Sequence, residues 1–259
     1  GDAVLRVDVG DTAQGTLRLV FFDSDVSAPG YYSALALYPC LSDELLFSYA
    51  SDDPESKIKA CYVADDCTHI SVVEQKSDRK VFVSGFSLPD GTLEFCCQLN
   101  SKTMTYEMAA VFSGDGKMLC VAGKNAAYLY DLDSKSLVFT YQADDGIACP
   151  MLTENGRYLL WLEEGSLAML RVETGKTERV AFPEQFYISG YSSDATLLLG
   201  QNGLIILYDK KREVLLYDME KSEFLEPISV PSGSEIALLG NKSELLVAHD
   251  ETVSLYDLS

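Results

Sequence analysis

The chain has 259 residues, enough for one large β domain or two small ones, and its 47% hydrophobic and 10% aromatic content excludes wholesale disorder. Forty acidic residues against twenty basic ones leave a net charge of −20, which argues against capture of nucleic acid through clustered Lys and Arg and disfavours an anionic membrane surface. There is no run of eighteen apolar residues and no basic, then apolar, N-terminal leader, so neither a membrane span nor a signal peptide is expected.

Strand-like runs of five to eight residues begin at once, with AVLRVDV at 3–9, TLRLVFF at 16–22 and the longer ALALYPCLSDELLFSY at 34–49. HISVVEQ at 69–75 and KVFVSGF at 80–86 follow, then LPDG as a turn and LEFCCQL at 93–99. AAYLYDL at 126–132 and LVFTYQA at 137–143 sit between the turn signals SGDG (113–116) and TENG (153–156), and SSDA and VPSG punctuate the remainder. No long segment keeps a helical period with caps. The expectation is an all-β chain.

Four segments align with one another. They start at Ala109, Cys149, Leu197 and Ala237, and each reads strand, turn, strand, short turn, strand. Anchored on the residue after the hydrophobic pair, the copies mark Asp131, Arg171, Asp218 and Asp257, at spacings of 40, 47 and 39 residues. That is the length of a four-stranded propeller blade. LYDKK at Leu207 competes with LYDME at Leu216 for the third marker. LYDME is preferred, because GQNG then falls at the offset of SGDG and TENG. Two looser copies anchor near Ser87 and Pro39, which makes six units. The predicted fold is a β-propeller of six to seven blades, a single domain over residues 1–259 with its repeats best defined over 105–259. The last unit has no fourth strand, so either the register over residues 1–60 is off by one strand or the chain is part of a longer polypeptide.

VFSGDGKMLCVAGKNAAYLYDLDSK resembles the WD-repeat blade, in which a strand, an SPDG-type turn and a strand lead to a third strand ending in Trp-Asp. Here Tyr replaces the Trp, and the Gly-His pair that opens many such repeats is absent; His69 and His249 lie elsewhere. The resemblance, to a divergent WD-repeat β-propeller, implies a protein-interaction scaffold, and such blades also resemble the sensor tails of large nucleotide-binding signalling ATPases. In this fold the third strand is expected to be apolar in succession because it is buried on both faces. Its tyrosine is expected to reach a polar partner near the turn, and its aspartate to cap the turn that follows.

Catalytic signals are weak. No G-x-S-x-G elbow is present, and two histidines leave few bases. Cys61, Cys67 and His69 are metal-ligand types at no standard zinc spacing, and the acidic clusters lack the calcium-loop pattern. Seven cysteines, an odd number without CxxC, read as free thiols of a reducing compartment, so the cytoplasm is expected, with the nucleus as an alternative. What remains is the loop rim joining strands two and three, with the inter-blade loops beside it. Lys124, Glu163, Glu164, Lys210, Lys211, Arg212 and Asp250 supply mixed charge there, and Trp161 and Tyr187 supply aromatic anchors. The expectation is a non-catalytic module that binds a protein or peptide, with no cofactor, no metal, no nucleic acid and no membrane; a small-molecule ligand is not favoured. The alternatives are a regulatory propeller of a larger signalling ATPase and a hydrolase with an axial-channel site.

Overall fold

The computed structural model describes residues 3–13, 15–23, 32–53, 55–99, 108–143, 146–184, 186, 195–211, 213–239 and 242–258. They form six antiparallel sheets, the blades of an all-β propeller, divided between two compact units, Gly1–Tyr141 and Gln142–Ser259. Among the described residues no helix is long and apolar enough to cross a membrane.

The first unit holds three blades of four strands in sequential order. Blade 1 is β1 (Ala3–Thr12), β2 (Gly15–Asp23), β3 (Ala34–Pro39) and β4 (Phe47–Ala50). Blade 2 is β5 (Lys57–Val63), β6 (His69–Gln75), β7 (Val81–Ser87) and β8 (Leu93–Leu99). Blade 3 is β9 (Ala109–Phe112), β10 (Met118–Ala122), β11 (Ala126–Asp131) and β12 (Ser136–Gln142). Two apolar layers hold them together. Leu35, Leu37, Ile70 and Val72 meet between blades 1 and 2, and Val73, Val83, Leu119, Val121 and Tyr130 meet between blades 2 and 3.

The second unit opens with blade 4, made of β13 (Ala148–Leu152), β14 (Tyr158–Glu163), β15 (Ser166–Arg171) and β16 (Lys176–Ala181). Blade 5 has β17 (Thr196–Leu199), β18 (Leu204–Tyr208) and β19 (Glu213–Asp218); its outer position is split between β20 (Glu223–Phe224) and β21 (Ile228–Ser229), both paired to β19. Pro227, which has no N–H to donate, stands in the break. Blade 6 has only β22 (Glu235–Leu238), β23 (Glu244–His249) and β24 (Thr252–Asp257). Leu160, Leu162, Leu167, Ile205 and Leu207 pack between blades 4 and 5, and Ile206, Tyr208, Leu245 and Val247 between blades 5 and 6.

All six sequence anchors end a third strand: Pro39, Ser87, Asp131, Arg171, Asp218 and Asp257 are the last residues of β3, β7, β11, β15, β19 and β24. Asp218 is therefore the marker of the fifth repeat, as GQNG predicts. Burial on both faces holds along β11, β15 and β19, where four or five consecutive residues are buried. It fails in two places. β7 alternates buried and half-buried positions, and β24 is exposed at Thr252, Val253, Ser254, Leu255 and Asp257. Leu129, Met169 and Leu216 are 1%, 8% and 7% exposed, whereas Leu255, in the same place of the repeat, is 55% exposed.

The strand-end aspartates act as the repeat predicts. Asp131 Oδ1 accepts the Ser134 N–H at 2.8 Å, and Asp218 Oδ1 accepts those of Glu220 and Lys221 at 2.9 and 3.0 Å. These bonds favour the charged form and hold both carboxyls below their ordinary pKa. The tyrosine expectation divides. Tyr217 is 1% exposed and its hydroxyl meets Ser222, but the Tyr130 hydroxyl is buried with no hydrogen-bond partner among the described residues. The Tyr130 ring packs into the blade 2–3 layer among Val73, Val83, Leu119 and Val121, and no side chain among the described residues bonds its oxygen.

Candidate functional site

The predicted rim separates into three groups. Lys124, Glu164, Lys210, Lys211 and Asp250 do lie in turns joining second and third strands, partly or fully exposed. Lys210 Nζ pairs with Glu235 at 2.8 Å, Lys211 Nζ with Asp209 at 3.0 Å, and Asp250 lies 3.3 Å from His249 Nε2. Lys124 belongs to the first unit and the others to the second. Tyr187 and Arg212 lie outside the described residues.

Trp161 and Glu163 correct the expectation. The indole is fully buried and its Nε1–H donates to Glu163 Oε1 at 2.9 Å. Glu163, 2% exposed, is also clamped by Arg179 at 2.6 and 3.3 Å. Trp161 cannot anchor a partner, because it is core. Glu163 cannot meet one, because its two oxygens are already engaged from β14 and β16. Trp161 stands within β14 and not in the turn, and that strand is buried on both faces.

A second buried carboxylate behaves alike. Glu74 Oε2 accepts the Tyr49 hydroxyl at 2.7 Å, and Lys76 Nζ lies 2.5 Å from Oε1 while also pairing with Asp52. Burial and that hydrogen bond push the Tyr49 pKa far up. Each buried carboxylate is thus neutralised by a cation and a neutral donor, the arrangement of a structural pair and not of a poised acid and base. Among the described residues no group of three or more His, Cys, Asp or Glu is placed to hold a metal.

A cleft lies at the opposite end of the blades, where first strands turn into second strands and third into fourth. It encloses about 530 Å³ in the second unit, within the roughly 300–1,000 Å³ range of ligand pockets. Three successive first turns build it. In blade 4 the Thr153 hydroxyl accepts the Tyr158 N–H at 3.0 Å and Asn155 Oδ1 accepts that of Arg157 at 3.1 Å, which closes the turn and leaves Glu154 and Arg157 exposed. In blade 5 a single 3-10 turn, Gln201–Gly203, carries Asn202 at φ 53°, and the Gln201 N–H reaches the Lys242 carbonyl of blade 6 at 3.0 Å. A Cβ on Gly200 would lie 3.3 Å from that same carbonyl, so glycine suits the close approach. Lys242 then spans the cleft to Glu154 at 2.6 Å.

Met219 and Glu220 add a wall from the third turn of blade 5. The cleft continues into a second hollow of about 310 Å³ that shares Tyr158 and Met219 and adds Arg171, Lys176, Glu178 and Ser222. Arg171 lies over the Tyr158 ring at 5.6 Å and donates to its hydroxyl at 3.0 Å. Four cations, Arg157, Arg171, Lys176 and Lys242, line this face together with three carboxylates, and Lys242 pairs with Glu154 and Lys176 with Glu178. Arg157 is exposed and makes no ion pair among the described residues. Neither hollow is lined by His or Cys, and the Thr153 hydroxyl is committed to its own turn. The arrangement can bind. Among the described residues that line it, no nucleophile–base pair is formed.

Sequence reading missed this cleft, although its signal was present: TENG, GQNG and the turn ending in Lys242 occupy equal offsets in three neighbouring copies. No known protein family matches the chain, and no curated protein matches it. Among solved structures, a chain titled Kuenenia stuttgartiensis Hydrazine Synthase superposes with a TM-score of 0.69 at 10% identity, covering 96% of this chain and 82% of that one. At that identity the likeness shows the fold alone.

Proposed function

We propose that this chain is a non-catalytic interaction module, a divergent WD-type propeller that serves as scaffold or sensor in a protein assembly. The observation that carries the reading is the cleft of about 530 Å³ at the turn end of blades 4 to 6, with Arg157 exposed beside the Glu154–Lys242 pair. Its occupant is a protein segment that brings a carboxylate to Arg157. Guanidinium pairs bidentately with carboxylate, and Tyr158 and Met219 offer apolar contact on either side. All seven cysteines are free thiols, which supports a reducing compartment such as the cytoplasm.

The test compares two charge-reversal variants in affinity capture from extract with quantitative mass spectrometry. Arg157→Glu with Lys242→Glu should lower recovery of a specific partner at least tenfold. Lys210→Glu with Lys211→Glu, at the other end of the blades, should leave it unchanged. Recovery indifferent to the cleft variant defeats the reading, and loss confined to the other pair moves the site to the opposite rim.

A further inference from the structure

We propose that the outer edge of β24 is a docking site for an extended, basic segment of a partner protein, which adds to blade 6 as its fourth strand. The site is separate from the cleft above and does not rest on it: it is made by the third strand of blade 6 and the turn before that strand.

The backbone comes first. Blades 1 to 5 each fill the position outside the third strand, whereas in blade 6 β24 pairs with β23 alone among the described residues. The Leu258 N–H donates to the carbonyl of Ser243, just before β23, at 2.8 Å. Backbone direction alternates along an antiparallel strand, so Val253 and Leu255 turn their N–H and C=O groups outward. Sheet edges are commonly blunted by proline, by lysine or by a bulge. β24, TVSLYD, has none of these and keeps an unbroken register with β23.

Side chains then select. Tyr256 and Leu258 pack into the layer shared with blade 5, so Val253 and Leu255 lie on the opposite face, 67% and 55% exposed. Ala248 and Leu246 stand across from them on that face. A strand with apolar residues opposite Val253 and Leu255 extends this strip by two cross-strand pairs. Glu251 precedes the strand and Asp257 ends it, both exposed. A second copy of this chain is disfavoured here. The twofold register that sets Val253 against Leu255 also brings Glu251 to Asp257, twice over, and each chain carries a net charge of −20. The same two carboxylates favour a lysine or arginine at each end of the incoming strand. The recognised segment therefore runs antiparallel to β24, opposite Glu251 to Asp257, with basic ends and two apolar residues at alternate places between them.

The experiment uses the full chain and fluorescein-labelled peptides, read by fluorescence anisotropy. The reference peptide has valine at the two apolar places, threonine between and beside them, and lysine at both ends. It should bind saturably, and glutamate in place of both lysines should weaken it about tenfold or more. Methylating the two valine nitrogens, which face β24, should weaken it by a similar factor, whereas methylating the nitrogen of the threonine between them, which points away, should leave it within about twofold. Leu255→Lys, a charge of the kind that blunts natural edges, should weaken the reference peptide about tenfold while far-UV circular dichroism stays native. Glu251→Lys should narrow the preference for lysine-ended over glutamate-ended peptides about threefold or more. The proposal is overturned if the reference peptide does not saturate, if the two methylated peptides bind alike, if glutamate-ended peptides bind as tightly, or if either variant binds like the parent. A chain that sediments as a dimer, dissociated by Leu255→Lys, also overturns it and gives the edge to a second copy.

Discussion

Tyr130 offers a test in which the sign, and not only the size, of a stability change is fixed by the structure. Its ring is packed among Val73, Val83, Leu119 and Val121 at 4% exposure, so Tyr130→Ala should cost about 3–5 kcal/mol. Tyr130→Phe keeps the ring and removes a buried hydroxyl that bonds to nothing described, so the variant should be stabilised by up to ~1 kcal/mol. Tyr217 is the control. It is as deeply buried, but its hydroxyl meets Ser222, so Tyr217→Phe should lose about 0.5–1.5 kcal/mol. Urea denaturation followed by circular dichroism reads all three. The same group sets an alkaline signature. The folded-state pKa is raised by burial from 10.0 to about 12, so this group leaves stability level below pH 10 and lowers it as pH climbs from 10 through about 12. The Phe variant should lack this part of the decline between pH 10 and 12. A Tyr130→Phe protein less stable than its parent by 1 kcal/mol or more refutes the reasoning, because the hydroxyl would then have a partner.

Two further outcomes follow from burial. Arg179→Ala removes the cation from Glu163 at 2% exposure, keeps the Trp161 N–H as its partner among the described residues, and should cost about 2 kcal/mol; Glu163→Gln with Arg179→Ala should recover part of it in the same urea assay. Leu216→Asp places a carboxylate at 7% exposure and should prevent stable folding, whereas Leu255→Asp, at 55% exposure in the matching place of the repeat, should stay within about 0.5 kcal/mol of the parent by thermal melting.

That last pair shows what the chain text does and does not encode. As a repeat anchor LYD is written at Leu129, Leu216 and Leu255, each ending a third strand, while the LYD at Leu207 closes a second strand and is told apart by the offset of its turn residues. Burial is not local. The first two copies are enclosed by neighbouring sheets and the third is not, and no residue within the motif differs to announce it. Trp161 and Glu163 failed as rim candidates for the same reason. They stand next to a turn, where residues are usually wet, but a central strand covered on both faces has no alternation to separate inside from outside. The cation that engages Glu163 comes from Arg179 on the next-but-one strand, sixteen positions away.

The cleft was hidden by a different cause. Its residues come from turns that are individually ordinary, each closing on itself through Thr153, Asn155 or Asn202 as turns do in any hairpin. Only stacking three blades side by side brings Glu154 to Lys242, 88 positions apart, and leaves Arg157 beside them without a counter-ion among the described residues. Long-range attraction from the surrounding negative field would draw basic partners to the surface in general, but at Arg157 the local charge selects a carboxylate. Binding there should therefore weaken less steeply with added salt than binding steered by the net charge of −20, because the contact is a short-range pair and salt screens the distant field first.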